Sequence, residues 1–85
     1  MRPENRRMTE WLKAHGITAK VKWIATGSLK RRWRLYNADL PWSLELGRQL
    51  EQLGFLNYNR QPFGPYDGNG GHFSVFVTGH EEMVR

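Results

Sequence analysis

Residues 18–37 read TAKVKWIATGSLKRRWRLYN, and their side chains alternate with a period of two. Alternation of this kind, in runs rich in β-branched and aromatic residues, predicts β-strands with one buried and one open face. We predict two strands, Thr18–Thr26 and Leu29–Asn37, joined by a turn near Gly27-Ser28. The segment is therefore expected to form an antiparallel hairpin.

The two faces of this hairpin differ in chemistry. The face predicted to be buried carries large apolar side chains at Val21, Trp23, Trp33 and Leu35. The face predicted to be open carries five cations and one aromatic ring: Lys20, Lys22, Lys30, Arg32, Arg34 and Tyr36. Alternation also assigns Arg31 to the apolar face, so we expect Arg31 either at a bulge or strand edge, or buried and paired.

Helical periodicity precedes and follows the hairpin. The first helix is predicted at about Asn5–His15, with an apolar stripe formed by Met8, Trp11, Leu12 and His15. Gly16 followed by Ile17 indicates a Schellman-type end. The second helix is predicted at about Leu40–Leu53, with Asp39 as N-cap and Pro41 in the first turn. Its stripe comprises Trp42, Leu44, Leu46, Leu50 and Leu53, and Gly54 marks its end.

Two further strands are predicted in the C-terminal third. Phe55–Asn59 forms a short strand and His72–Thr78 a longer one, with Phe73, Val75 and Val77 on the buried face. Between them lies the loop Gln61–Gly71, which is rich in Gly and Pro and is a candidate functional loop. We therefore expect one α+β domain over residues 1–85, in the order α-β-β-α-β-β (or α-β-β-α-β). Its antiparallel sheet would carry both helices on one face.

Composition and charge restrict the classes of function. The 85 residues include no cysteine, which excludes disulfides and cysteine-based zinc modules. No apolar run is long enough for a membrane span or a signal peptide, so we expect a cytoplasmic protein that contacts no membrane. The formal charge of +5 is uneven. Residues 1–36 hold ten basic and two acidic residues (+8), and residues 37–85 hold three basic and six acidic residues (−3).

Catalytic and cofactor motifs are missing from the sequence. There is no cysteine nucleophile, and no serine stands in a G-x-S-x-G motif. The three histidines, His15, His72 and His80, are too scattered for a zinc-protease motif. The glycine-rich segment 68–71, GNGG, lacks the Lys-Ser/Thr and the helix of a phosphate-binding loop. We expect no enzymatic activity, no metal site and no cofactor.

The five cations of the hairpin point to a polyanionic partner. Like charges that face each other across strands are destabilising, and a nucleic-acid backbone offsets this repulsion while it releases counterions. Five phosphate contacts predict a log–log salt slope of about −4.5 on duplex DNA. Tyr36, joined by Phe76 if the last strand pairs in the right register, is placed to stack on unpaired bases. The alternative is that both rings pack under the loop Gln61–Gly71.

Three segments carry a resemblance to a class of known proteins: TAKVKWIATGSLKRRWRLYN (18–37), PWSLELGRQLEQLGF (41–55) and GNGGHFSVFV (68–77). In style they resemble the small accessory proteins of phages and mobile elements, among them anti-CRISPR and anti-restriction inhibitors. This resemblance implies a host nucleoprotein complex, or an acidic protein surface, as partner within a host bacterium. Phe63 and Tyr66 of the loop would then anchor the contact. The sequence leaves DNA, RNA, protein and the oligomeric state open.

Overall fold

The computed structural model describes residues 1–84, with the backbone alone for Asn69, and it has the predicted α+β architecture. Two helices, α1 (Pro3–Ala14) and α2 (Leu44–Gln52), accompany four strands: β1 (Lys20–Ile24), β2 (Arg32–Pro41), β3 (Leu56–Asn57) and β4 (His72–Thr78). The strands form one antiparallel sheet in the order β1-β2-β4-β3. The chain order of helices and strands is α-β-β-α-β-β, as predicted.

Both helices pack on the same face of the sheet. Their buried side chains join the apolar side chains of the strands in one cluster, whose largest fully buried members include Trp33, Phe55, Phe73, Met8 and Leu12. The predicted buried face of the hairpin is correct, since Val21, Trp33 and Leu35 belong to this cluster and Trp23 packs against it. The opposite face of the sheet is free of helices.

The predicted ends of both helices are confirmed. After α1, Gly16 has a φ of 85°, and the N–H of Ile17 donates to the carbonyl of Leu12 at 2.9 Å. After α2, Gly54 has a φ of 94°, and the N–H of Phe55 donates to Leu50 at 3.0 Å. These are the left-handed glycine and backbone hydrogen bond of a Schellman motif, in each case followed by a buried apolar residue.

The predicted start of the second helix is wrong. Residues 40 and 41 belong to β2, where Pro41 lies opposite His72, and the N–H of Trp42 donates to Gly71 at 2.8 Å. The helix begins only at Leu44, and the N-cap is Ser43, whose side chain accepts from the N–H of Leu46. Strand pairing to a distant segment thus overrides the local helix signal. Leu44, expected on the apolar stripe, is 44% exposed.

The hairpin turn is longer than predicted. The connection between β1 and β2 covers residues 25–31, so the strands lose their predicted ends at Ala25, Thr26, Leu29, Lys30 and Arg31. The N–H of Arg31 donates to Ile24 at 2.7 Å, and Arg31 has a φ of 64°. This is the left-handed residue of a bulged turn, so the bulge alternative for Arg31 holds and the buried one is wrong. Strand β3 is also shorter than predicted, with two residues instead of five.

The long loop folds back onto the second helix. Phe63 is 3% exposed and lies beside the ring of Trp42, with ring centroids 5.5 Å apart. The indole N–H of Trp42 donates to the carbonyl of Gly64 at 2.9 Å. A Cβ built on Gly47 would lie 2.9 Å from the Cβ of Phe63, so the glycine in the middle of α2 lets the loop approach. Part of the loop therefore belongs to the core.

Candidate nucleic-acid interface

Strand register assembles one surface from three strands. Between β1 and β2, Lys20 lies opposite Tyr36 and Lys22 opposite Arg34. Between β2 and β4, Tyr36 lies opposite Ser74 and Arg34 opposite Phe76. Side chains alternate between the two faces along each strand, and residues that lie opposite each other on neighbouring strands point to the same face. All of these side chains therefore point away from the core. We call this surface the basic face; its members are Lys20, Lys22, Ile24, Arg32, Arg34, Tyr36, Ser74 and Phe76.

Among the described residues 1–84, no ion pair neutralises the positive charge of Lys20, Lys22 and Arg34 on the basic face. The paired segments 20–24, 32–36 and 72–78 contain no Asp or Glu at any position. Lys20, Lys22 and Arg34 are exposed, and within residues 1–84 none of the three takes part in an ion pair. Three neighbouring cations on an open sheet therefore keep their charge available to an outside partner.

Two of the predicted site residues differ from the prediction: Arg32 is engaged in hydrogen bonds, and Lys30 lies outside the strands. Arg32 lies on the basic face, but its Nε donates to the carbonyl of Tyr58 at 2.9 Å and a terminal nitrogen donates to the carbonyl of Lys30 at 2.7 Å. Its guanidinium thus ties β2 to the turn after β3 and to the hairpin turn. Lys30 is exposed in that hairpin turn, outside both strands, so its predicted strand position is wrong. The bulged turn explains this displacement.

The predicted aromatic residues do reach the basic face. Tyr36 and Phe76 are half-buried, on the neighbouring strands β2 and β4. The guanidinium carbon of Arg34 lies over the ring of Tyr36, 5.2 Å from its centroid, a cation–π contact. The alternative has both rings packing beneath the loop Gln61–Gly71. Strand register instead directs them to the face opposite the core, whereas the buried aromatic of that loop, Phe63, packs against Trp42 and α2.

The basic face continues around the outer edge of β1. A groove of about 710 Å³ there is lined by residues of the face and by the start of α1, including Arg2, Lys22, Arg34 and Phe76. The start of α1 is held in place by Asn5, a buried side chain whose Oδ1 accepts from the N–H of Trp23 at 2.8 Å. Sequence reasoning missed Arg2, because only the docking of α1 brings it near β1. A polar residue on the buried side of the helix, Asn5, was the available signal.

The two loop residues that were predicted as contact anchors differ in their exposure to solvent. Phe63 is buried in the core and is not available to a partner, so its prediction as an anchor is wrong. Tyr66 is 94% exposed and remains free to make contacts. The loop thus offers one aromatic side chain to solvent instead of two.

Arg31 forms an ion pair that lies outside the basic face. Its terminal nitrogen donates to Oε2 of Glu81 at 2.9 Å. This hydrogen bond, with the attraction between the charges, raises the pKa of Arg31 and lowers the pKa of Glu81. The pair links the hairpin turn to the segment that follows β4, and it leaves Arg31 unavailable as a free cation.

Residues 1–84 can also be considered for two other kinds of feature, metal sites and membrane-spanning helices. No group of three or more His, Asp or Glu side chains in this part of the chain is placed to hold a metal ion. None of its helices has the length and apolarity needed to cross a membrane.

Comparisons with known proteins give no match to a family model, a curated sequence or a solved structure.

Proposed function

We propose that this protein is a non-enzymatic binding protein that takes nucleic acid, free or within a nucleoprotein complex, on its basic face. The observation that carries the proposal is the strand register, which gathers Lys20, Lys22 and Arg34 on one sheet surface whose paired positions hold no acidic residue. Like charges so close together are mutually repulsive. A phosphate backbone relieves that repulsion and releases its own condensed counterions.

The structure reduces the number of phosphate contacts expected from sequence. The sequence predicts five cations on this face, but Arg32 donates to two carbonyls and Lys30 lies in the turn. Three free cations predict a log–log salt slope of about −2.1 on a single strand and about −2.7 on a duplex. Affinity for a single strand should then fall about 20-fold between 50 and 200 mM salt.

A salt titration with paired charge variants tests this proposal. Fluorescence anisotropy of a labelled oligonucleotide is measured with the parent, with Lys20→Gln/Lys22→Gln, and with Lys13→Gln/Arg60→Gln. Both variants lose two positive charges, but Lys13 lies on α1, and Arg60 lies in the turn after β3, the strand at the opposite edge of the sheet from β1. We expect the first variant to make the slope less steep by about 1.4 units on a single strand.

The control pair decides how the result is interpreted. Lys13→Gln/Arg60→Gln should bind with nearly the parent slope, because these cations do not touch the bound phosphates. Equal losses in both variants would mean that net charge alone attracts the nucleic acid. A slope near zero for the parent, or no binding at 50 mM salt, would refute the proposal.

A second candidate function is contact with a protein partner, as in the inhibitors that the sequence resembles. The exposed apolar side chains favour it: Leu40 and Leu44, at 38% and 44%, lie at or near the start of α2. A cavity of about 320 Å³ next to them is lined by Ile17, Leu40 and Pro41, among others. Exposed apolar side chains beside a pocket are typical of contact surfaces. A partner captured by the parent and lost with Leu44→Gln, in nuclease-treated lysate, would support this function.

A further inference from the structure

We infer that the basic face binds single-stranded nucleic acid, with unpaired bases stacked on Tyr36 and Phe76 and with the phosphate backbone along Lys20 and Lys22. This inference rests on the proposed function and specifies its ligand. Tyr36 lies opposite Ser74, and Phe76 lies opposite Arg34. The two residues are therefore diagonal neighbours on adjacent strands, with Cα atoms about 7–8 Å apart. Two rings in this arrangement form a platform for two successive bases.

The cations lie to one side of this platform. Lys20 is directly across from Tyr36, and Lys22 is across from Arg34, both on β1. The lysines are two residues apart in an extended strand, which separates them by about 6.6 Å along β1. Since β1 is the edge strand of the sheet, a phosphate backbone lying along it stays in water while the bases lie over β2 and β4.

The ring of Tyr36 already has a planar cation against it. The guanidinium carbon of Arg34 lies 5.2 Å from the ring centroid. Arginine guanidinium planes and aromatic rings both stack on bases, so a base can stack on the guanidinium plane of Arg34 or on the ring face of Tyr36 that Arg34 leaves open. When a base stacks here, the positive charge of Arg34 also attracts the phosphate of the same nucleotide.

The shape of the sheet favours a single strand over a duplex. The major groove of B-DNA is about 12 Å wide and admits an α-helix or a two-stranded ribbon. Here Tyr36 and Arg34 belong to β2, which is flanked by β1 on one side and β4 on the other. The rings are half-buried in the middle of this sheet. They therefore meet bases that come to the surface unpaired, and not bases stacked inside a helix.

An abasic strand separates stacking from charge. Anisotropy is measured with a single strand of about 12 nucleotides, within the usual range of site sizes, with an abasic strand of the same length, and with the corresponding duplex. The abasic strand has the same phosphates but offers nothing to stack. Because stacking contributes about 1–3 kcal/mol per base and two bases stack, we expect the parent to bind the normal strand at least about 30-fold more tightly than the abasic strand.

Aromatic variants assign this preference to residues. Tyr36→Leu and Phe76→Leu should each weaken binding of the normal strand at least about fivefold and leave binding of the abasic strand unchanged. Tyr66→Leu is the matched control, because Tyr66 is an exposed aromatic in the loop, away from the basic face. Lys20→Gln/Lys22→Gln should weaken binding of both strands equally.

The outcomes distinguish this inference from the proposed function. If the parent binds normal and abasic strands equally, or prefers the duplex, the inference is wrong while nucleic-acid binding stands. If it binds none of the three at 50 mM salt, the proposed function itself is wrong. The comparison of normal and abasic strands uses the parent alone, so it remains decisive even if a Leu variant folds poorly.

Discussion

Replacement of Gly47 by alanine tests how tightly the long loop is packed on α2. Alanine in a helix interior is favoured over glycine by about 0.8–1.0 kcal/mol, so an uncrowded site would be stabilised. Here the added Cβ would lie 2.9 Å from the Cβ of Phe63 and 3.3 Å from the ring of Trp42. Overpacking of this kind costs about 1–3 kcal/mol. Because the clash outweighs the gain in helix propensity, we expect Gly47→Ala to lower the free energy of unfolding by about 1 kcal/mol.

Urea unfolding, followed by tryptophan fluorescence, measures this change in the free energy of unfolding. In a thermal melt, the same loss of about 1 kcal/mol should lower the melting temperature by roughly 4–8 °C for a domain of this size. Gly64→Ala is the control, because its Cβ would meet only Asp67, at 3.8 Å, and its stability should stay at or slightly above the parent value. A Gly47→Ala variant that is more stable than the parent would refute the packing of Phe63 against α2.

Three further substitutions test local parts of the account. Ser43→Ala removes the N-cap of α2 and should lower the free energy of unfolding by about 1 kcal/mol in a urea titration. Arg32→Gln removes the two hydrogen bonds to backbone carbonyls, so it should lower the stability by about 1 kcal/mol and reduce nucleic-acid affinity less than Lys22→Gln does. The hydrogen bond from Arg31 lowers the pKa of Glu81, so the stability that Glu81 contributes is present above its ordinary pKa and is lost as the pH falls through the lowered value. The urea midpoints of the parent and Glu81→Gln should therefore differ at neutral pH and converge in acid; a constant difference would argue against the pair.

The basic face was largely predictable because it depends on local alternation. A period of two places Lys20, Lys22, Arg34 and Tyr36 on the same side of a hairpin, whatever the rest of the chain does. The helix ends were predictable for the same reason, since the glycine signal lies next to the helix that it ends. These features need only residues that are neighbours in the sequence or across one turn.

The errors arise where distant segments meet. Pro41 looked like the first turn of a helix because its pairing with His72, 31 residues later, leaves no local signal. Phe63 looked like an exposed anchor because its burial depends on the missing side chain of Gly47. For Arg31 the sequence left a bulge and a buried position open, since arginine has no preference for the left-handed conformation that it adopts in the turn.

The four cations of the basic face divide into two groups with different tasks. Arg32 satisfies backbone carbonyls and holds the turns in place. Lys20, Lys22 and Arg34 form no ion pair among residues 1–84, and we propose that their charge serves a ligand. Sequence alternation cannot make this distinction, because all four residues share the same period. It follows that substitutions at Lys20, Lys22 and Arg34 affect binding more than stability.

The most direct measurement of the central claim is a nuclear magnetic resonance titration of the backbone amides with a short single-stranded oligonucleotide. The account predicts that the largest shift changes fall on the three strands of the basic face, at residues 20–24, 34–36 and 74–76, and that α2 and Tyr66 change little. Changes concentrated at Leu40, Leu44 and Tyr66, with the basic face unaffected, would contradict it.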